Sequence, residues 1–245
     1  MESEPLHRPE VEKRVVLEES RIRQEYARRR REVDAELYAP WDRAQAFLIE
    51  GRRVAAASLL HESGVFPQSG SACLEVGCGS IGWLAELISW GVSVADLNGI
   101  DLLPDRVAHA KGVLPAADLR CGSATQLPWN DLSFGLVILS TVMSSVLDPA
   151  VRGLIAEEVT RVLRPGGALL WYDFAVNNPR NPNVRGVSKN EVVSLFPALH
   201  GRFRAVNLAP PIARRVVPWS RPLAALLEAI PLLRTHLVGV LVKPS

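Results

Sequence analysis

Cysteine is scarce in this chain: Cys73, Cys78 and Cys121 are the three in 245 residues. An odd count without a spaced framework excludes a disulfide scaffold. With no C-x-x-C pair and no histidine cluster, metal-site spacing is missing too; His7, His61, His109, His200 and His236 are scattered and none is assigned a ligand role. Free cysteines fit a reducing compartment, so a cytoplasmic location is expected. A large charge imbalance is also lacking. The net charge is +2, too small to imply nucleic acid or a membrane by itself. The polar start MESEPLHRPEVEK has no apolar core of a signal peptide. Long apolar runs are missing as well, since none approaches the ~18 residues of a membrane span. The segment after Pro222 comes nearest, but Glu228, Pro231, Arg234 and His236 interrupt it, and it reads as a buried helix followed by a buried strand.

What is present is a 48% apolar chain whose length suits one α/β domain with additions. Val11, Val15, Ile22, Tyr26, Val33 and Leu37 recur at helical spacing, predicting an amphipathic helix over 10–37. Its other face mixes an arginine run with glutamates, a pattern typical of a solvated face. Asp42 is placed to cap a second helix over 43–62. Residues 1–66 therefore read as an N-terminal helical extension or lid, and 67–245 as the main domain. From residue 72 strands and helices alternate. Strands are expected at 72–77, 97–102, 118–124, 135–141, 168–174, 203–209 and 237–243. Helices are expected at 81–91, 104–114, 149–163, 188–197 and 221–230. Such alternation means parallel βαβ units, with the last two strands closing one edge of the sheet.

The sharpest local feature is Leu74-Glu75-Val76-Gly77-Cys78-Gly79-Ser80-Ile81-Gly82, after an apolar strand and opening a helix. Gly77 and Gly79 allow a tight turn and close approach to a ligand. The amides of the following helix would face an anionic or carboxylate-bearing group. Read literally, Gly77-x-Gly79-x-x-Gly82 also matches the dinucleotide fingerprint, which is weak evidence alone. Glu75 favours a different ligand: a carboxylate before the loop repels a pyrophosphate and suits S-adenosylmethionine, with its cationic amine and sulfonium. Asp101 ends the second predicted strand, where a carboxylate can accept both hydroxyls of an adenosine ribose, with Leu102 beside the adenine.

Four blocks, LEVGCGSIGW (74–83), NGIDLLPDRVAHAK (98–111), CGSATQLPWNDLSFGLVILSTVMSSVLD (121–148) and EEVTRVLRPGGALLWYDF (157–174), resemble the class I S-adenosylmethionine-dependent methyltransferase family in content and order. The resemblance implies a Rossmann-like, doubly wound α/β fold with a mostly parallel seven-stranded sheet. It also implies S-adenosyl-L-methionine as cofactor. Glu75, Gly77, Cys78 and Gly79 would then hold the methionine end, Asp101 and Leu102 the ribose and adenine, and Ser123 and Ala124 the adenine edge. Ser140 and Thr141 would meet the methionine amine and face the acceptor. The family usually carries aspartate where Ser123 and Gly135 stand. NNPRNPNVRG (177–186) and the N-terminal arginine helix resemble small bacterial methyltransferases of glycan or secondary-metabolite pathways.

Methyl transfer from a sulfonium is an in-line displacement that chiefly needs alignment and exclusion of water. A hydroxyl acceptor can require a base. Asp173, with Tyr172 beside it, is the sequence candidate, although a turn aspartate is an equal reading of that residue. Asn178, Arg180 and Arg185 could grip an oxygen-rich acceptor, and Tyr26, Tyr38 and Trp41 could form part of a lid. The expected activity is methylation, with oxygen as the favoured atom, of a small-molecule or glycan-type acceptor. A non-catalytic S-adenosylmethionine-binding protein, an RNA methyltransferase and a nicotinamide-dependent oxidoreductase are the alternatives. Serine accepts a hydrogen bond from the adenine amino group more weakly than aspartate does. Calorimetry is therefore expected to give micromolar or weaker cofactor binding; a nanomolar dissociation constant would contradict this.

Overall fold

The computed structural model describes residues 8–39, 41–178 and 181–245. Two helices come first, α1 (Arg8–Glu32) and α2 (Arg43–Glu62). Helix α1 stops short of the predicted residue 37, because Asp34 accepts from the Glu36 amide and starts a separate 3-10 turn, Ala35–Tyr38. Helix α2 starts where Asp42 accepts from the Gln45 amide at 2.7 Å, the N-cap that satisfies an otherwise orphaned donor.

Then come β1 (Cys73–Val76), α3 (Leu84–Ser89), β2 (Leu97–Asp101), α4 (Pro104–Val113), β3 (Asp118–Cys121) and β4 (Phe134–Ser140). They are followed by α5 (Pro149–Val162), β5 (Leu163–Phe174), α6 (Lys189–Leu195) and β6 (His200–Leu208). The chain continues through α7 (Pro210–Val216), α8 (Arg221–Glu228) and β7 (Arg234–Val242). The seven strands form one sheet in the order β3-β2-β1-β4-β5-β7-β6. Strand β7 is antiparallel to both neighbours and the other pairings are parallel. The fold is the Rossmann-like one implied by the resemblance, and the strand order reverses between β1 and β4, where such sheets open a crevice at their carboxyl ends.

Strand alternation splits the core in two. Val137, Leu139, Leu169 and Trp171 face Val151, Ile155 and Val159 of α5 and Phe196. Leu136, Ile138, Leu170 and Tyr172 face Leu59 and Leu60 of α2 and Leu84 and Leu87 of α3. This is why the 135–141 run reads as pure apolar: both of its faces are covered. Strand β5 begins earlier than predicted, since Arg164-Pro165-Gly166-Gly167 forms an irregular first part rather than a stop. Gly166 has φ +70° and donates to the Lys243 carbonyl at 2.9 Å. Arg164 lies across Gly135, where a Cβ would meet Nη2 at 3.0 Å.

Two local expectations are corrected. Helix α7 was not foreseen, because its seven residues are too few for a periodicity signal. The 221–230 segment was expected to be a buried helix, yet Leu223 and Leu226 of α8 are exposed and Ala224 is its one buried residue. Among the described residues, no helix is long and apolar enough to cross a membrane.

Helix α1 spans the top of the molecule through polar clamps. Arg14 donates twice to Asp148, at 2.7 and 2.9 Å, and Arg30 pairs with Asp105 of α4. Glu18 accepts from the Leu147 amide, and Arg21 donates to the Ser145 carbonyl. Asp148 also caps α5 through the Ala150 and Val151 amides. Asp148→Ala should therefore cost about 1–2 kcal/mol and lower the melting temperature by roughly 2–8 °C, with α1 becoming the first site of limited proteolysis.

Candidate active site

At the carboxyl ends of β1, β2 and β4 the glycine loop makes two left-handed turns, at Gly77 (φ +74°) and Gly79 (φ +59°). The first lets the backbone double back so that the Gly77 and Cys78 amides both donate to the Ile100 carbonyl, at 2.7 and 3.1 Å. No side chain is tolerated at Gly77, where a Cβ would lie 2.5 Å from Val142. Beside this loop an open cavity of about 840 Å³, mouth included, runs under α1.

Eight residues singled out from the sequence line this cavity: Tyr26, Gly77, Asp101, Leu102, Ser123, Ala124, Ser140 and Thr141. Asp101 is 7% exposed; its Oδ2 accepts from the Gly79 amide at 2.9 Å and its Oδ1 from the Leu103 amide at 2.8 Å. Each oxygen keeps a lone pair for a further donor. The Ser123 hydroxyl accepts from the Thr125 amide at 3.1 Å and shares a hydrogen with the Thr125 hydroxyl at 2.7 Å. Thr141 holds φ at +55°, its amide donating to the Tyr172 carbonyl. A non-glycine residue in that region stores strain, which concentrates at functional sites.

Glu75 and Cys78 lie below the loop instead of on the cavity wall. The Glu75 carboxylate is buried and accepts at Oε2 from the Trp83 amide at 2.7 Å and the Leu84 amide at 3.2 Å. It fits there because Gly82 (φ +49°) has no side chain; a Cβ would come within 2.2 Å of Oε1. Burial pushes the Glu75 carboxyl up to about 8, against the pull of those two amides and of Arg52. Cys78 is packed in the core beneath Gly99, and burial raises its thiol.

The expectation that free amides of this loop and helix would face an anion is corrected by these bonds. Gly79 donates to Asp101, and Trp83 and Leu84 donate to Glu75. Gly77 and Cys78 donate to Ile100, so five donors of this segment are taken within the chain, three of them by its own carboxyl groups. Among the described residues the wall carries Asp101, Glu18 and Glu19 with Arg106; Glu18 pairs with Arg21 and Glu19 with Arg23, which leaves Asp101, held by two amides, to receive a ligand's hydroxyls or positive charge.

Both catalytic candidates are also corrected. Asp173 is 1% exposed and off the cavity; its oxygens accept from the Ser144 amide at 2.9 Å and the Phe174 amide at 2.8 Å. Burial raises its carboxyl to about 6. It fixes the 143–145 turn, as a turn aspartate does. Tyr172 points to the opposite face, stacked on His236 at 5.1 Å with its hydroxyl accepting from Asn207.

Of the acceptor candidates, Tyr26 lines the cavity with the Arg106 guanidinium 4.3 Å over its ring. Tyr38 and Trp41 are exposed outside it; Trp41 donates to Glu36. Arg185 turns away, its amide donating to the Ser144 carbonyl and its guanidinium pairing with Glu191. Asn178 is exposed and off the cavity, and Arg180 lies outside the described residues. From this loop Asn183 and Val184 instead border a small pocket of about 200 Å³ that shares Ile22, Tyr26 and Ser145 with the main cavity.

Sequence reasoning missed Glu18, Glu19 and Ile22 as lining residues, together with Arg106, Val146, Val151 and Ile155. Glu18 and Ile22 were within reach: they precede Tyr26 by two helical turns and one, on the same face of α1. Burial works against the Glu18 charge, but Arg21 and the Leu147 amide outweigh it and hold the carboxyl below its usual range.

Residues 74–171 match the family described as methyltransferase domain. They belong to the class I S-adenosylmethionine-dependent methyltransferases. A phthiotriol/phenolphthiotriol dimycocerosates methyltransferase of Mycobacterium ulcerans is 37% identical over 112 residues, 45% of this chain and 40% of that protein. A demethylmenaquinone methyltransferase of Beutenbergia cavernae is 36% identical over 106 residues, 43% and 42%. The matched stretch thus spans less than half the length of these two relatives. A solved S-adenosylmethionine-dependent methyltransferase from Methanosarcina mazei has TM-score 0.56 at 21% identity, covering 76% of this chain and 96% of its own. A [4+2]-cyclase reaches the same TM-score at 15% identity, covering 78% and 80%, so the fold alone does not fix the chemistry.

The methyltransferase domain carries an acid whose charge the fold resists, which makes stability pH-dependent. A carboxyl raised from 4.5 to about 8 binds its proton more tightly when folded, so its contribution is full below the lower value and is lost as pH rises through the higher one. The melting temperature of the wild type relative to Glu75→Gln should fall steadily from pH 5 to about 8; a constant difference across that window would refute the raised value.

Proposed function

We propose that this chain transfers a methyl group from S-adenosylmethionine to a hydroxyl oxygen of a small-molecule acceptor that enters beneath α1. The observation that carries this reading is the position of two acids at the loop: Glu75 and Asp101 take the Gly79, Trp83 and Leu84 amides. That leaves an acid-lined cavity that disfavours the nicotinamide dinucleotide alternative.

The cofactor, when bound, supplies a methyl group already activated on a positive sulfur. Asp101 binds the ribose hydroxyls with its two remaining lone pairs, and Leu102, Ser123 and Ala124 surround the adenine. Gly77 gives the backbone close approach, and Ser140 and Thr141 face the methionine end. The α1 roof covers one side of the open cavity and limits the access of water, which strengthens the polar contacts beneath it. Its Ile22 and Tyr26, with Val146, give the acceptor space an apolar surface. That surface suits a hydroxylated acceptor with an apolar body better than a glycan, in line with the relatives named for phthiotriol dimycocerosates and demethylmenaquinone. Among the lining carboxylates Glu18 and Asp101 are held by backbone amides. Glu19 meets Arg23 at 3.3 Å, and it is assigned to take the hydroxyl proton.

Titration with S-adenosylhomocysteine should release heat, and Asp101→Asn should weaken binding about 10- to 100-fold. Glu19→Gln should leave that affinity unchanged while lowering kcat for an oxygen acceptor roughly 100-fold. No heat with either the donor or its demethylated product would reject the reading; heat without turnover on any hydroxylated acceptor would leave a non-catalytic binding protein.

A further inference from the structure

Helix α8 is built inside out. A helix on a soluble domain turns its apolar stripe to the core, but here the buried residue is Ala224, and Leu223 and Leu226 point to solvent. Leu226 is 67% exposed, Trp219 just before the helix 91%, and Leu232 just after it 94%. From Pro218 to Leu232, Arg221 is the one exposed residue with a polar side chain. Isolated exposed leucines need no explanation, but a contiguous patch of this kind marks an interaction surface.

The border of the patch is cationic. Arg215 of α7 is exposed, with no ion pair among the described residues. Among the described residues Arg221 pairs with exposed Glu50, and Arg214 lies over the Tyr38 ring at 5.9 Å. Arg43 donates to the Pro218 carbonyl at 3.4 Å, so the segment carrying exposed Tyr38 and Trp41 borders the same surface. The one acid between residues 208 and 234 is Glu228, which is half-buried. Apolar side chains ringed by arginines, with tryptophan and tyrosine at the edge, are the composition of a helix lying in the headgroup region of an anionic bilayer. A self-associating face would instead bring Arg214, Arg215 and Arg221 of two copies together, and the exposed acids at its border among the described residues, Glu50 and Glu36, are already engaged with Arg221 and Trp41.

We propose that the α7–α8 surface, with Trp219, Leu223, Leu226 and Leu232 as its inserting residues, docks on an anionic lipid surface. Insertion requires no cofactor and no methyl transfer, so it is independent of the catalytic reading.

The test is flotation of the full chain with vesicles of phosphatidylcholine alone and of equimolar phosphatidylcholine and phosphatidylglycerol, with tryptophan emission recorded in parallel. Binding to the anionic vesicles with a blue shift that Trp219→Phe diminishes is expected. Leu223→Glu/Leu226→Glu, exposed positions that leave the fold intact by circular dichroism, should reduce binding roughly tenfold or more. Arg214→Glu/Arg215→Glu should weaken it in a salt-dependent way. Equal binding to both vesicle types, no binding to either, or a sedimentation dimer that Leu226→Glu dissolves would each overturn the proposal, the last by assigning the face to a second copy of this chain.

Discussion

The site depends on one hydrogen-bond arrangement: two carboxyl groups of the chain take the Gly79, Trp83 and Leu84 amides around its own glycine loop. A strand–loop–helix of this shape ordinarily presents free N–H groups to an anion. Glu75 reaches under the loop to the start of α3, and Asp101 reaches across from the neighbouring strand to Gly79. The loop is therefore braced by the chain's own groups, and Asp101 stands at the cavity beside it. That combination favours a cationic adenosyl ligand and takes from a pyrophosphate the Gly79 amide and the first amides of α3. It also has a cost, seen in the upward shift that burial imposes on Glu75.

The remainder of the molecule supports that arrangement. The strand reversal between β1 and β4 opens the crevice, and the two-faced core holds the strands that end there. Asp173 belongs to this support: buried behind the 143–145 turn, it sets the backbone that brings Val142 against Gly77. Helix α1 completes the cavity through polar clamps beside the apolar contacts of Val15 and Ile22. Polar clamps of this kind are weaker individually than apolar packing, which suits a roof that has to admit an acceptor.

Much of the fold was legible because the sequence is locally consistent. Asp42 marks a helix start that the structure shares. The unbroken apolar run at 135–141 announced a strand covered on both sides. Legibility failed where two readings share one pattern. Exposed apolar residues on α8 look the same in sequence as buried ones, since a helical period does not say which face meets the core. Tyr26, Tyr38 and Trp41 looked equivalent as aromatics, yet the turn that Asp34 starts separates the last two from the cavity.

The sequence by itself determined the alternation of strands and helices, the glycine loop with its acidic partners, and hence the class of ligand, because these follow from spacing and residue chemistry along short stretches. Only the tertiary structure decided which carboxylates face the cavity and which hold the backbone. It placed Asp173 and Tyr172 off the cavity, brought Glu18 and Glu19 onto the wall that Gly77 and Asp101 share, and turned α8 outward. Those outcomes depend on register, on strand order and on which face of a helix is packed, quantities that arise only when distant segments meet.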